Sequence, residues 1–567
     1  MRLPWIALAL LALVAWLLAP LFQGGLLGAA GTDLFRGTWG FDHQAQAFPL
    51  PFWTDRVGFP GGVKLLILPF VSSLLGAPLH WVLGPWEGYN AWVVALLWLG
   101  AFCTAWWVKE ASGSGGAGLL AGGLMASQPT LLLALTDGTA EHVAFWSIPA
   151  MLASLARART DPGNRWGIAA GVFATIVALD SPYHAIFSVP LTLLPLWRCP
   201  PRARWGFLGV AALGIAAVVG LYWGLPLSGR LENKAQNAVK LATWWQWDAG
   251  KMLKPWDFTF SPAFVPTYTL LGAAGLAVAR PARSLPWVGW AVLCLLFALG
   301  ASPENTSVLA RWWGGPGEAV GGGIEWFNQN LSPSAIRFPR RWLIPMALAL
   351  FTAAGIGLGR LPREWMRVAV AIPAVIGGTW LSMERTGFRE AFPRIAVPEP
   401  AFARFVHDHP GEGAAVVLPT VRGASRLHER FELPVFANLD AALVSADQPF
   451  LQVALGRALV NSPQGLFTMQ PKKRKDTDIE RFFQDLNDLC NPQTTGSEVP
   501  PSALQEPENR AARARALAEN GLRFIVLDDE VYGETGLGHA KLPFADMIVE
   551  EQHFDDGTGV TVWVLSP

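Results

Sequence analysis

Asp33 lies in the run Gly31-Thr32-Asp33-Leu34-Phe35-Arg36, shortly after the first long apolar stretch of the chain, and Gly40-Phe41-Asp42-His43 follows in the same polar segment. A carboxylate held where a loop leaves a membrane has its basicity set by partial desolvation and by a nearby cation, here Arg36. Those are the conditions for a general base, with Asp42 as the second candidate. The plainer reading of Asp33 is a helix N-cap or a loop ion pair with Arg36.

Two further runs carry acidic, imidazole and phenol groups at the ends of later apolar segments. They are Asp137-Gly138-Thr139-Ala140-Glu141-His142 and Asp180-Ser181-Pro182-Tyr183-His184. Singly, each such group caps a span or anchors it among headgroups; together they could line a cavity open to the outside. His142 and His184 lack a His-x-x-His or comparable spacing, so a divalent metal is not supported and the cofactor stays unknown. A third run, Arg337-Phe338-Pro339-Arg340-Arg341, gathers guanidinium groups that suit phosphate oxygens or lipid headgroups. Before it, Gly321-Gly322-Gly323-Ile324-Glu325-Trp326-Phe327-Asn328 reads as a loop able to close on a ligand, or as slack.

The elements that position these groups follow from composition and sign pattern. The 567 residues are 52% hydrophobic and only 15% charged, with 28 Trp, and mean hydropathy is +0.31. That describes a bilayer-embedded chain with interfacial aromatic anchors. The formal net charge of zero says nothing about a nucleic-acid partner, because the Arg groups are topological; with no basic face to read, none is expected. Cys103, Cys199, Cys294 and Cys490 lie far apart and define neither a disulfide framework nor a metal spacing.

Apolar stretches predict about eleven spans, near residues 4–22, 89–108, 115–135, 139–156, 166–180, 183–197, 205–225, 263–279, 285–301, 342–359 and 367–383. The first reads as a retained span, since no clear signal-peptide cut site follows it. Arg2, Lys109, Arg157, Arg159, Arg165, Arg198, Arg202, Arg204, Arg280, Arg283, Arg360, Arg363 and Arg367 then share the cytoplasmic side. Outside fall the loops 23–64, 226–262 and 302–341, so Arg337, Arg340 and Arg341 break the positive-inside bias. Segment 65–84 is apolar as well, but as a full span it would reverse every later Arg group. It reads instead as an interfacial or re-entrant helix, opened after Phe59-Pro60-Gly61-Gly62 and closed by Gly84-Pro85.

Charge and β-branched runs rise from about residue 385. The expected organisation is therefore a polytopic helical membrane domain over 1–384 and an extracytoplasmic α/β domain over 385–567. In the latter, Ala414 to Leu418, Phe524 to Leu527 and Val560 to Leu565 are strands, and Glu399 to His409 and Asn509 to Asn520 are helices, the second ended by Gly521. Pro471 to Ser502, with Lys472-Lys473-Arg474-Lys475, reads as a solvated surface insertion.

The order of these features resembles the GT-C superfamily of integral-membrane glycosyltransferases. The likeness rests on Gly31-Thr32-Asp33, Gly58-Phe59-Pro60-Gly61-Gly62-Val63, Gly88-Tyr89-Asn90-Ala91 and Gly138 to His142 with Trp146-Ser147-Ile148-Pro149. Tyr183, Ile336-Arg337-Phe338-Pro339-Arg340-Arg341 and the paired strands at Ala414 to Pro419 and Gly521 to Leu527 complete it. The resemblance implies transfer of a sugar from a polyprenyl-phosphate carrier in the bacterial inner membrane to a glycan, lipid or protein acceptor outside, with inversion. By it, Asp33 is the base, Arg337, Arg340 and Arg341 steady the departing phosphate, and His43, Glu141, His142, Tyr183, His184 and Glu325 contact substrate. The chain departs from the family pattern in having Asp33 and Asp42 in place of an Asp-x-Asp or Asp-Glu pair. A non-catalytic envelope-assembly protein of the same fold is the alternative. A lipid or solute transporter ranks third, because no internal repeat is visible and the polar groups gather at one face.

The sign pattern makes a direct prediction. Alkaline phosphatase fused after Pro567 should be active and the same reporter fused after Arg283 inactive; the opposite pair of results would invert the topology.

Overall fold

Small residues decide how closely these helices pack. In the computed structural model the helix Gly115–Ala126, sequence GGAGLLAGGLMA, is buried along its whole length. A Cβ on Gly118 would lie 2.5 Å from Ala105 O, one on Gly122 2.6 Å from Ala101 O, and one on Gly123 2.6 Å from the Val375 side chain. Helix Phe70–Ser112 therefore approaches this central helix to backbone distance, as does Glu364–Thr386 at Gly116, where a Cβ would lie 3.0 Å from Arg367 C and Val368 N, an approach that glycine permits. Its amino-terminal end is closed by Glu364, whose carboxylate accepts from Gly116 N at 2.8 Å and Ser114 Oγ at 2.9 Å and pairs with Arg367 at 3.1 Å. An anion there satisfies orphan N–H groups and opposes the positive end of the helix dipole.

The structure describes residues 1–19, 25–28, 34–49, 53–54, 63–64, 69–136, 138–161, 163–223, 267–298, 339–386, 394–395, 400–418, 507–555, 559–566 and a few isolated positions. Helices stand at every expected apolar position: Leu3–Leu17, Phe70–Ser112, Gly115–Ala126 with Pro129–Thr136, Ala140–Val143 with Ser147–Ala158, Arg165–Asp180, Pro182–Trp197, Pro201–Trp223, Thr267–Val278, Pro281–Ala298, Leu343–Leu358 and Glu364–Thr386. Among the described residues, three helices are long and apolar enough to cross a membrane alone, Phe70–Ser112, Pro201–Gly220 and Glu364–Glu384. A bent pair, Gly115–Ala126 with Pro129–Thr136, makes a fourth. The others fall short of the roughly 20 residues that a straight span needs.

Two of the expected spans are broken, for local reasons. At the first break Pro129 cannot continue the helix hydrogen bonds, and Gln128 Oε1 caps the new start by accepting from Leu131 N at 2.9 Å. At the second, Ala144, Phe145 and Trp146 separate Ala140–Val143 from Ser147–Ala158. The helix Pro201–Trp223 leaves Trp205, Leu208, Leu213, Ile215 and Val219 exposed, an apolar face suited to lipid.

The chain divides into two units. One holds Met1–Leu27, Leu68–Leu75 and Asn90–Arg394; the other holds Gly28–Ile67, Gly76–Tyr89 and Ile395–Pro567. The segment expected to be interfacial is helical from Phe70 and breaks at Gly84, whose φ of +83° and ψ of −178° only glycine adopts readily, just before Pro85. A Cβ on Gly88 would sit 2.9 Å from His80 Cα, so the chain doubles back tightly across this break.

In the second unit a four-stranded sheet has the order β1-β2-β4-β3, with β1 Ala414–Leu418, β2 Leu522–Asp528, β3 Ile548–Phe554 and β4 Val560–Leu565. The β1 and β2 strands are parallel and the other pairings antiparallel. β1 and β4 are wholly buried, while the edge strand β3 is exposed and carries Glu550, Glu551, Gln552 and His553, side chains that discourage pairing with another chain. Helices Ala401–Asp408 and Pro507–Glu519 lie within two residues of their expected bounds, and Gly521 at φ +99° turns the chain from the second into β2. The expected insertion at 471–502 and Cys490 fall outside the described residues apart from isolated helical positions.

Leucine at Gly122 should lower stability by about 1–3 kcal/mol through overpacking, whereas leucine at Gly209, where a Cβ meets nothing within 4 Å, should be close to neutral. Thermal unfolding of both variants in nanodiscs checks the pair, and equal melting temperatures would contradict the packing.

Candidate active site

Ser181 makes the sharp turn that carries Asp180, Tyr183 and His184. With φ −159° and ψ 118° it ends the helix Arg165–Asp180 and begins Pro182–Trp197, and its Oγ accepts from His184 N at 3.4 Å. Pro182 at the first helical position needs no hydrogen-bond partner for its nitrogen. Tyr183 and His184 thereby start the second helix, while Asp180 ends the first.

Asp180 is fully buried and spent on structure. Its Oδ1 accepts from Ser72 N at 2.9 Å and its Oδ2 from Ser72 Oγ at 2.5 Å, at the amino-terminal turn of the helix that starts at Phe70. Ser72 is held from the other side as well, its carbonyl accepting from Trp92 Nε1 and its Oγ from Trp146 Nε1, both at 2.8 Å. A carboxylate on helix N–H groups inside a protein is a strong, charge-assisted cap. Of the two readings of this acid, the capping one holds, although the helix it caps is the one that starts at Phe70. Asn90 plays a related part, its Oδ1 accepting from Leu27 N at 2.9 Å and its Nδ2 donating to Gly25 O at 2.8 Å.

Around this turn the structure does gather His142, Tyr183, His184 and Arg341. The Arg341 guanidinium carbon lies 3.9 Å from the centre of the Tyr183 ring, and the arginine is 8% exposed. A desolvated cation over an aromatic face contributes on the order of 2 kcal/mol. The His142 ring is 6.3 Å from Tyr183 and 6.4 Å from His184, and His142 Nε2 is 4.0 Å from Glu141 Oε1. Neither ring nitrogen of the buried His184 has a hydrogen-bond partner among the described residues. Trp342, next to Arg341, packs on Phe187 at 4.5 Å and Phe297 at 4.8 Å, which fixes the arginine's backbone. A buried cation beside imidazole and phenol groups is chemically suited to an anion.

The first-loop residues form a second cluster. The helix Leu34–Gln46 begins immediately after Asp33 and carries Asp42 and His43, both buried. His43 stacks on Trp39 with ring centres 5.3 Å apart. Asp42 Oδ1 lies 2.8 Å from His80 Nε2 and accepts from Gln46 Nε2 at 2.8 Å. His80 and Ser72 are the residues that sequence reasoning missed. The signal for His80 was a lone imidazole within an otherwise apolar interfacial segment.

Asp33, Asp137, Glu325 and Arg337 lie outside the described residues, as does the side chain of Arg340. Among the described residues no group of three His, Cys, Asp or Glu side chains is placed to hold a metal ion. In the C-terminal sheet His553 Nδ1 is 2.7 Å from Asp529 Oδ2 and its Nε2 is 2.6 Å from Asp555 Oδ1. Burial raises the Asp529 carboxyl, against the lowering effects of the Thr561 hydrogen bonds and the His553 charge.

Replacing Asp180 by alanine should cost about 3 kcal/mol or more, because it strips a charged acceptor from buried donors. Asp161→Ala, at an exposed ion pair with Arg165, should stay within about 0.5 kcal/mol of the native chain. Chemical or thermal unfolding of the two variants tests this, and an unaffected Asp180→Ala protein would contradict the cap.

No protein-family model and no curated protein sequence matches the chain. Solved structures do match. The arabinofuranosyltransferase AftD from Mycobacteria aligns over 100% of this chain and 42% of its own, at 15% identity and a TM-score of 0.52. This chain thus spans less than half of that protein. ArnT from Cupriavidus metallidurans bound to undecaprenyl phosphate aligns over 100% and 98% of the two chains, at 13% identity and a TM-score of 0.45. The Archaeoglobus fulgidus oligosaccharyltransferase aligns over 99% and 73%, at 12% identity and 0.44. At these identities the comparison shows a shared fold: the chain has the fold of AftD.

Proposed function

We propose that this protein is a membrane glycosyltransferase that moves a sugar from a polyprenyl-phosphate carrier to an extracytoplasmic acceptor, with inversion. The observation that carries the reading is Arg341, a buried cation on Tyr183 beside His142 and His184, within a GT-C fold. A lipid-linked phosphate leaves well when its charge is held, and a buried guanidinium is suited to hold it. Arg337 and Arg340 belong to the same run and would share that charge, while Glu141, His142, Tyr183, His184, His43 and Glu325 would orient sugar hydroxyls.

In this reading the acceptor oxygen attacks the anomeric carbon from the face opposite the phosphate. Its proton passes to Asp33, and the electron pair of the breaking bond leaves with the carrier phosphate. The setting is the bacterial inner membrane, with about eleven spans, a cytoplasmic amino terminus and an extracytoplasmic α/β domain over 385–567. The AftD likeness supports sugar transfer as the reaction class and leaves hexose and pentose equally open.

Purified protein in nanodiscs, given labelled polyprenyl-phosphate sugars and an envelope extract as acceptor, should transfer label, and Asp33→Asn should reduce transfer by on the order of 100- to 10,000-fold while donor binding persists. Equal rates for the two proteins would remove Asp33 as the base.

A further inference from the structure

We propose that Asp42 acts through His80, fixing its ring so that Nδ1 binds a hydroxyl of the sugar acceptor. The inference rests on the glycosyl-transfer reading and adds to it an acceptor-binding residue that the sequence motifs do not contain.

Asp42 is buried and acceptor-only when ionised, and the His80 Nε2 contact at 2.8 Å is a hydrogen bond to it. A carboxylate facing one imidazole nitrogen keeps the proton on that nitrogen and makes the other a lone-pair acceptor. Gln46 donates to the same Asp42 oxygen at 2.8 Å and Phe41 packs edge-on against the His80 ring at 5.8 Å, so the pair is held on two sides. Trp81, the next residue, donates from Nε1 to Ala45 O at 3.1 Å and locks the two helices in register.

The far side of the ring is different. His80 Nδ1 is buried and has no hydrogen-bond partner among the described residues, although the ring as a whole is 11% exposed. An unmet buried acceptor costs about 1–3 kcal/mol, so a donor that reaches it recovers that cost. The group that completes a neutral imidazole acceptor is a donor, and in a glycosyltransferase acceptor the abundant neutral donor is a hydroxyl. Asp42 is then a positioning residue, and His80 a binding residue that selects a hydroxyl-bearing ligand.

Two readouts test this on the full chain in nanodiscs, and neither needs turnover. Nitrogen-15 NMR of histidine-labelled protein, with His80 assigned by its loss in His80→Gln, should show a protonated Nε2 and a bare Nδ1. The Nδ1 signal should move on titration with methyl hexosides or methyl pentosides. In Asp42→Asn the amide can donate to Nε2, so the ring proton should move to Nδ1 and the response to glycosides should disappear. Glutamine at 80 keeps a donor toward Asp42 and drops only the Nδ1 position, so it should fold like the native chain and weaken binding of the responding glycoside on the order of ten-fold. A protonated Nδ1 in the native protein, an Nδ1 signal unmoved by every glycoside, or unchanged glycoside affinity in His80→Gln would overturn the proposal. Failure of the glycosyl-transfer reading would be seen separately, in the Asp33 comparison.

Discussion

A single buried carboxylate organises one end of the helical unit. Asp180 takes two hydrogen bonds from Ser72, and Trp92 and Trp146 close on the same serine. Taking a charge into an apolar interior is costly unless it is fully hydrogen-bonded, and the amino-terminal turn of a helix offers donors together with a favourable dipole. The cap fixes where that helix starts and, through Ser181, where the next one begins. Tyr183 and His184 are carried on that next helix, so their meeting with Arg341 and His142 follows from the placement of one acid.

The other organising constraint is steric. The central helix Gly115–Ala126 has glycine at 118 and 122, where Phe70–Ser112 comes to backbone distance, and the bilayer offers little hydrophobic drive to hold helices together. Close contact and a capped amino-terminal end supply that cohesion. In the proposed function, transfer would draw on the polar groups gathered around Arg341, while the rest of the helical unit keeps their anchoring points in place.

Much of this was legible in the residues. The long apolar stretches coincide with described helices from Leu3–Leu17 to Glu364–Thr386, and Gly84-Pro85 marked the break within Phe70–Ser112. The strands at Ala414–Leu418 and Val560–Leu565 followed from β-branched runs, and Gly521 marked the end of a helix. Trp146 and Asn90 were visible as motif residues, but their roles as donors to Ser72 and as a clasp on Gly25 and Leu27 were not, since both depend on partners more than 60 positions away. Asp180 read as a cap or, with its neighbours, as part of a cavity wall, but a sequence does not say which N–H groups a carboxylate will meet, and Ser72 lies 108 positions away. His80 escaped notice for the same reason: its partner Asp42 is 38 positions off, on another helix. Gln128-Pro129 was an available signal for a broken span that hydropathy averaging hides.

The central claim is sugar transfer from a polyprenyl-phosphate donor, and the stereochemistry of the product tests it most directly. A donor of one defined anomeric configuration, incubated with the native protein in nanodiscs and an envelope extract, should release polyprenyl phosphate in proportion to the sugar transferred. The new glycosidic bond, read by proton NMR, should have the opposite configuration. Transfer with retained configuration would contradict direct displacement, and an intact donor with no phosphate released would contradict the glycosyltransferase account itself.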